Sequence, residues 1–250
     1  MKILICADIH CRDFWKPVLK IKDRPIVFLG DYLDPYWWEG FNSEKGIEDL
    51  KRILEFAREN NNVILLIGNH CLSHIFSYYG CERTGPFLYK QTHKLYRDNI
   101  DLLKPYKVID DTLFIHAGIC EGWVKSINRV NEINNKDFRI TGDNVLSFID
   151  SEFKKALENP NPTEYFYDKS RIFDIGRSRG GNAPYGGPFW YDYRYEGPAY
   201  EDLGLFQVVG HCQQEITGSL GKGNGLICCD SRAIFEYDTE TKKIIKKDIL

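Results

Sequence analysis

The chain has 250 residues, of which 43% are apolar and 28% charged, and its formal net charge is −3. This composition is typical of a globular protein that can bury a large core. The charge gives no electrostatic basis for binding nucleic acid or an anionic membrane, and no apolar run approaches the roughly 20 residues that span a bilayer. Because the chain goes directly into Lys2-Ile3-Leu4-Ile5, we expect no signal peptide and a cytoplasmic location.

The eight cysteines form no C-x-x-C pair and match no small disulfide framework, so we expect free thiols in a reducing compartment. Cys11, Cys71 and Cys212 lie next to candidate metal ligands. They could form a thiolate site or pack as small apolar groups. We favour packing, because oxygen and imidazole ligands already suffice.

Five short apolar runs predict buried strands, and each run is followed by residue types that bind metal ions. The runs are residues 3–5, 25–28, 63–67, 113–115 and 206–209. They precede, in order, Asp8-Ile9-His10, Gly30-Asp31-Tyr32-Leu33-Asp34, Gly68-Asn69-His70, His116-Ala117-Gly118 and Gly210-His211-Cys212. One such ending is usually an ordinary turn. Its recurrence predicts a fold that gathers these side chains around Asp31.

Two helices are predicted from apolar residues at helical spacing. The first covers residues 43–60 with Ser43 as its cap, and the second covers 144–158 with Asp143 as its cap. The first helix lies between two strands, which makes a β-α-β unit and hence a parallel sheet. His74 follows His70 by one helical turn, and we interpret it as a surface or supporting group rather than a ligand.

The second half of the chain predicts a further sheet and one long loop. Residues 106–109 and 112–115 flank Asp110-Asp111 as a hairpin, and strands return at 226–229, 233–237 and 243–249. Two packed sheets with outer helices follow from this order. We expect a single domain over 1–250, with a substrate-side loop insertion at 159–202 that is too rich in aromatic residues to be disordered.

The aromatic loop at residues 35–41 has two interpretations of equal weight. It is either a packed cover over the core or a wall beside the site.

The ligand types suit harder divalent ions, with Mn preferred and Fe or Zn as alternatives. We predict a first ion bound by Asp8, His10 and Asp31, and a second bound by Asp31, Asn69, His116 and His211. Asp31 then bridges the two ions. Such a pair clamps the attacking and leaving oxygens of an in-line phosphoryl displacement and acidifies the water between them.

His70 and Asp34 are not needed as ligands in this scheme. A histidine that is held by a carboxylate can protonate a leaving alkoxide. We therefore predict that His70 is the general acid and that Asp34 orients it.

The motifs, taken together in this order, resemble the calcineurin-like metallophosphoesterase superfamily, and the resemblance extends over residues 3–212. It implies a four-layer α/β/β/α sandwich of two mixed sheets flanked by helices, with a dinuclear site between strand ends. Many branches of this superfamily carry a second histidine where this chain has Gln213. Together with His116-Ala117-Gly118-Ile119, this makes the chain most similar to the PPP-type phosphatases.

The chain departs from the PPP pattern at the residues that hold phosphate. Pro35 stands where those enzymes usually have an arginine, and Cys71 stands where they often have an acidic residue. Another cation must then bind phosphate. Arginines are the natural candidates, because a guanidinium fork matches phosphate geometry. The candidates are Arg177, Arg179, Arg194 and Arg12. Ser178-Arg179-Gly180-Gly181 is similar to a region of bacterial PPP-like phosphatases, so we predict Arg179.

The sequence thus predicts a dinuclear metal-dependent phosphatase that hydrolyses phosphomonoesters by attack of a metal-bridging hydroxide. Its substrate is a phosphorylated protein, such as one with phosphoserine or phosphothreonine, or a phosphorylated small molecule. One alternative is hydrolysis of dinucleoside polyphosphates or cyclic nucleotides. Another is a metal-bound scaffold without catalysis. His70 and Asp34 argue against the scaffold.

Overall fold

The computed structural model describes residues 1–76, 83–159, 170–223 and 225–248. Its strands are β1 (Lys2–Cys6), β2 (Ile26–Phe28), β3 (Val63–Leu66), β4 (Leu103–Lys104), β5 (Tyr106–Ile109), β6 (Thr112–Ile115), β7 (Phe206–Val209), β8 (Gly221–Gly223), β9 (Leu226–Cys228), β10 (Ile234–Asp238) and β11 (Lys243–Lys247). Its α-helices are α1 (Ser43–Glu59), α2 (Asn69–Phe76), α3 (Pro86–Asp98), α4 (Glu121–Ile133) and α5 (Val145–Glu158).

The strands form two mixed sheets. The first has the order β11-β10-β1-β2-β3-β4, in which β1 to β4 are parallel and β10 and β11 antiparallel. The second has the order β5-β6-β7-β9-β8, in which β6, β7 and β9 are parallel and both edge strands antiparallel. The helices flank these sheets, which confirms the predicted fold class.

The parallel strands that precede the site motifs are buried on both faces, which explains why their sequences are continuous apolar runs. On β1, Ile5 belongs to the core between the sheets together with Val208 of β7. Its neighbour Leu4 points to the other face and belongs to the core that includes Leu50 of α1. A hydrogen bond of 2.7 Å between Thr112 Oγ1 and Tyr237 Oη also links the two sheets.

Both predicted helix caps are wrong by one residue. Asn42 precedes α1 and accepts a hydrogen bond of 2.6 Å from the Glu44 amide, so Ser43 is the first helical residue. Asn144 precedes α5, and its side chain accepts instead from the Thr141 amide at 2.9 Å. An asparagine is as good a cap as serine or aspartate, so residue type alone did not decide the position.

The long loop is ordered against the rest of the protein where it is described. The Trp123 indole donates to the Arg171 carbonyl at 2.9 Å, and the Phe173 and Phe189 rings stack 5.9 Å apart. Residues 160–169 of the predicted insertion lie outside the described residues. None of the helices described is long and apolar enough to cross a membrane.

Candidate metal centre and active site

The residues that follow β1, β2 and β7 have an unusual backbone conformation. The angle φ is positive at Asp8 (49°), His10 (43°), Asp31 (50°), Asp34 (63°) and His211 (65°). Positive φ is uncommon in residues other than glycine, and such strain persists where the surrounding fold enforces it, often at functional sites. Five predicted site residues therefore share a conformation that aims their side chains at one edge of the sandwich.

Asp31 lies at the centre of this edge. Its Oδ2 is 3.7 Å from His10 Nε2 and 3.5 Å from His116 Nε2, while its Oδ1 accepts a hydrogen bond of 2.9 Å from the His70 amide. One carboxylate oxygen thus faces one imidazole from each of the two predicted ligand groups. This is the arrangement that a bridging ligand requires.

Asn69 joins the second ligand group. Its Oδ1 is 2.8 Å from His116 Nε2 and 2.9 Å from His211 Nδ1. Ligand atoms about 2.1 Å from one ion lie about 3 Å from each other, so these spacings suit a shared cation. The remaining ring nitrogen of His211, Nε2, is buried and has no hydrogen-bond partner among the described residues.

Backbone carbonyls fix the ring orientation of two candidate ligands. His10 Nδ1 lies 2.8 Å from the Leu33 carbonyl oxygen, and His116 Nδ1 lies 2.7 Å from that of Leu29. A carbonyl only accepts, so Nδ1 carries the proton and Nε2 keeps its lone pair. Both lone pairs point toward Asp31, and such outer hydrogen bonds commonly orient metal-binding histidines.

The electrostatics of the cluster also fit bound cations. Burial, Asp230 and Asp31 raise the pKa of Asp8 well above its usual range, and burial raises the pKa of Asp230 to about 7. Burial and the neighbouring His70 lower the pKa of His10 to about 3. Divalent ions stabilise crowded carboxylates in their ionised form and bind imidazoles in their neutral form.

Two glycines leave room beside these ligands. A Cβ atom at Gly68 would lie 2.1 Å from Asp31 Oδ1, and one at Gly210 would lie 2.1 Å from Asp8 Oδ2. Ligand atoms of Asp8, Asp31 and His116 all lie within 4.8 Å of one another. The residues present therefore fit divalent metal ions.

The neighbouring thiols are packing groups. Seven cysteines fall within the described residues, and all are buried and free, whereas Cys81 lies outside them. Burial raises the pKa of Cys11, Cys71 and Cys212 to about 12, so these thiols stay protonated. This agrees with the apolar interpretation.

His70 contacts Asp34 beside the candidate ligands. Its Nδ1 lies 3.1 Å from Asp34 Oδ2, and its Nε2 lies 3.3 Å from Nη1 of Arg83. Although burial acts to raise it, hydrogen bonds from His70 and His74 hold the pKa of Asp34 well below its usual range. Ring atoms of His70 come within 4.8 Å of His10 and Asp31. With one nitrogen on a carboxylate and the other facing a guanidinium, however, His70 is a poor metal ligand.

Of the four arginines considered from the sequence, only Arg179 lines the central cavity of about 270 Å³. Its Nη2 lies 3.3 Å from the His211 carbonyl oxygen, and its Nε lies 2.9 Å from Asp192 Oδ2. Arg177 and Arg194 are exposed. Arg12 is buried and donates to the Asp8 carbonyl at 2.9 Å, so it supports the backbone of a candidate ligand.

Sequence reasoning missed a second cation in this cavity, Arg83. Its Nη2 lies 3.2 Å from His10 Nδ1, and its guanidinium lies 4.0 Å from the centre of the Tyr36 ring. It also donates to the carbonyl oxygens of Asp34 and Pro35. Arg83 belongs to no motif. The only hint was the missing PPP arginine, which required a substitute from an unspecified place.

The aromatic loop forms a wall of the cavity rather than a packed cover. Tyr36 lines the cavity, and the Trp38 ring packs 4.6 Å from it. The Trp37 ring meets Trp38 edge-on at 5.6 Å. Trp37 is 84% exposed and Trp38 59% exposed, so a row of rings leads from the cavity into solvent.

A model of the calcineurin-like phosphoesterase family matches residues 1–198, which include every site motif except Gly210-His211. The chain belongs to this family. The superfamily predicted from the sequence is thereby confirmed, and so is the activity class of a metal-dependent phosphoesterase. No curated protein sequence matches the chain.

Two of the similar solved structures, both of cold-active protein tyrosine phosphatases, have the same fold at low sequence identity. A cold-active protein tyrosine phosphatase with the I115M mutation is 17% identical, with a TM-score of 0.55 over 98% of this chain and 77% of that one. The cold-active protein-tyrosine phosphatase of a psychrophilic Shewanella species is 18% identical, with a TM-score of 0.53 over 99% and 80%. A protein serine/threonine phosphatase from Saccharomyces cerevisiae is 15% identical, with a TM-score of 0.48 over 99% and 79%.

Proposed function

We propose that this calcineurin-like phosphoesterase is a dinuclear metal-dependent phosphatase that hydrolyses phosphomonoesters. The observation that carries the proposal is the placement of Asp31 Oδ2 between His10 Nε2 and His116 Nε2, at 3.7 and 3.5 Å. Two ions held by Asp8, His10, Asp31, Asn69, His116 and His211 would supply Lewis-acid activation of water and of the phosphoryl oxygens. A manganese pair, a cytoplasmic location and a single domain over residues 1–250 belong to the same proposal.

Two arginines hold the phosphate in this scheme. Arg179 reaches the cavity beside His211, and Arg83 reaches it beside His70 and His10. Guanidinium groups form paired charge-assisted hydrogen bonds to phosphate oxygens. A substrate dianion between the two arginines would be held in line with the candidate metal ligands and with His70.

His70 supplies the proton for the leaving group. Asp34 accepts from Nδ1, which fixes the ring and leaves Nε2 as the atom that faces the cavity. Arg83 Nη1 lies 3.3 Å from that Nε2. A bound phosphate would draw the guanidinium to its own oxygens, so that Nε2 becomes free to carry a proton to the leaving alkoxide.

The experiment compares a poor leaving group with a good one. Chelator-treated protein is reloaded with Mn and assayed on an alkyl phosphate and on nitrophenyl phosphate. His70→Asn should retain both metals and lose roughly 10²–10⁴-fold on the alkyl phosphate, but far less on nitrophenyl phosphate, whose leaving group scarcely needs a proton. Asp34→Asn should show the same pattern more mildly, because Asp34 acts only through the histidine.

Tyr106→Phe is the control, because Tyr106 donates a hydrogen bond to Asp150 and does not line the cavity. It should leave both activities in place. Equal losses on both substrates in His70→Asn would mean that His70 binds phosphate, and loss of a metal would mean that it is a ligand. Absence of metal-dependent turnover on every phosphomonoester in the unmodified protein would refute the proposed function.

A second candidate function is hydrolysis of dinucleoside polyphosphates or cyclic nucleotides. The observation that favours it is the exposed row of rings formed by Tyr36, Trp38 and Trp37, on which a nucleobase could stack. A panel of phosphopeptides, nitrophenyl phosphate and dinucleoside polyphosphates separates the two functions. If Trp37→Ala and Trp38→Ala selectively raise KM for the nucleotides, the second candidate is preferred.

A further inference from the structure

The carboxylate that orients His70 carries a second imidazole on the same oxygen. Asp34 Oδ2 lies 3.1 Å from His70 Nδ1 and 3.2 Å from His74 Nε2. The two histidines are four residues apart on α2 and therefore project from the same face of the helix. Both Asp34 and His74 are fully buried. His74 is thus a buried partner of Asp34, and the proposed mechanism does not use it.

The other oxygen of Asp34 is already fixed. Oδ1 accepts from the amides of Arg83 and Thr84 at 2.9 and 2.8 Å, and from the Thr84 hydroxyl at 2.6 Å. The carboxylate can therefore adjust only by pivoting about Oδ1, a movement that changes the position of Oδ2. The two histidines determine where Oδ2 points.

Helix α3 fixes His74 from the opposite side. His74 Nδ1 lies 2.8 Å from Thr92 Oγ1, and its ring is parallel to that of Tyr96, with the centres 5.4 Å apart and the planes 3° apart. Thr92 is also fully buried, and its hydroxyl lies 2.9 Å from the Tyr89 carbonyl oxygen. The position of His74 is therefore determined by α3 and not only by its own helix.

A carboxylate oxygen only accepts hydrogen bonds, so His74 Nε2 carries a proton and donates a hydrogen bond to Oδ2. We propose that His74 is a positioning residue that holds Oδ2 of Asp34 in line with His70 Nδ1, and thereby aims His70 at the substrate. This inference rests on the proposed function. Without His74, Oδ2 would lose one of its two donors in a buried place and would turn toward another, and His70 would turn with it. A misplacement of about 1 Å can cost about 10²-fold in rate.

Two substitutions separate positioning from packing. His74→Phe keeps a ring against Tyr96 but removes both nitrogens, whereas His74→Gln places an N–H near the position of Nε2. We expect His74→Phe to retain both metals and to lower kcat on an alkyl phosphate by about 10–100-fold, the usual effect of removing such a supporting hydrogen bond. KM and the activity on nitrophenyl phosphate should change little. His74→Gln should restore most of the loss, and Tyr106→Phe is the control, because it removes a hydrogen bond to Asp150 away from the cavity.

A double-mutant cycle with His70→Asn gives the decisive test. Because His74 acts through His70, adding His74→Phe to His70→Asn should cause no further loss on the alkyl phosphate. A full additional loss in that background, or equal losses on both substrates, would overturn the inference. If His74→Phe does not fold, Thr92→Val takes its place in the cycle. It should give a smaller loss that disappears in the His70→Asn background, and a loss that persists there would also overturn the inference.

One readout is independent of activity. In ¹⁵N-labelled protein without metal, His74 should show a protonated Nε2 whose slowly exchanging resonance is absent in His74→Phe. An unprotonated Nε2 could not donate a hydrogen bond to Asp34 Oδ2, and this result would overturn the inference. If the unmodified protein with Mn hydrolyses neither phosphate, the proposed function fails, and the NMR result still decides whether His74 holds Asp34.

Discussion

Gly68 offers a test of the metal site that alters no ligand. A Cβ atom at this position would lie 2.1 Å from Asp31 Oδ1, 2.7 Å from Asp31 Cγ and 2.8 Å from His116 Cε1. These are atoms of the proposed bridging ligand and of a proposed ligand to the second ion. Gly68 does not have positive φ, so Gly68→Ala acts through this crowding rather than through backbone strain.

The size of the effect follows from the distances. Non-bonded heavy atoms approach favourably at about 3.5–4.0 Å, so the Asp31 carboxylate must move by more than about 1 Å. Metal ligands keep their distances within about 0.2 Å, and no such movement is compatible with both ions in place. We therefore expect Gly68→Ala to weaken Mn binding by at least the 10–100-fold typical of disturbed supporting groups. Overpacking should also lower the free energy of unfolding by about 1–3 kcal/mol.

The assay is calorimetric titration of the chelator-treated protein with Mn, together with melting temperatures at zero and saturating Mn. Gly85→Ala is the control, because a Cβ atom there meets nothing within 4 Å and the residue precedes α3 in an extended conformation. We expect the Mn-induced rise in melting temperature to persist in Gly85→Ala and to be smaller in Gly68→Ala. If Gly68→Ala binds two Mn ions with unchanged affinity, Asp31 is not where the proposal needs it.

Three further predictions follow from the same geometry. Asp31→Asn should lower the Mn content measured by metal analysis from two ions to one or none, and a single ion in both proteins would contradict the bridging role. Arg83→Ala and Arg179→Ala should each raise the inhibition constant of inorganic phosphate by about 10-fold or more with metals retained, and an unchanged constant would exclude that arginine. In α1, a Cβ atom at Gly46 would lie 2.1 Å from Cys11 Sγ, so Gly46→Ala should lower the free energy of unfolding in denaturant by about 1–3 kcal/mol despite its better helix propensity, and Cys11→Ala should restore it.

The sequence predicted the strands that precede the site motifs well, because these strands are buried. Runs such as residues 63–67 are too short and too β-branched to be core helices, and a β-α-β order puts their carboxyl ends at one edge. The side chains after each run, including Asp8 and Asp31, then meet without any need to predict distances. Parallel strands therefore bring motifs that are distant in the sequence together at one edge, and this part of the site can be predicted from the sequence.

The sequence could not place residues whose position depends on packing between distant loops. The sequence leaves His74 as either a surface group or a supporting group. The structure excludes the surface, because His74 is fully buried between Asp34 and α3. Its helical spacing gave the correct face of α2, yet burial depends on Thr92 and Tyr96, which lie on another helix. Helical spacing determines the direction in which the His74 side chain points, whereas the residues that it contacts are determined only by the tertiary fold.

Arg83 is the site residue that was hardest to predict from the sequence. The tertiary fold places this cation at a site where the motif itself has none. PPP-type enzymes usually carry an arginine directly after the residue that corresponds to Asp34, and this chain has Pro35 there. Arg83 lies 49 residues from Asp34, yet its Nε and Nη2 donate to the Asp34 carbonyl oxygen at 3.0 and 2.5 Å, and its Nε lies 3.2 Å from that of Pro35. The guanidinium therefore lies beside the backbone that would otherwise bear the arginine. The proposed phosphate site takes a cation in that place, and any residue that the fold brings there can supply it.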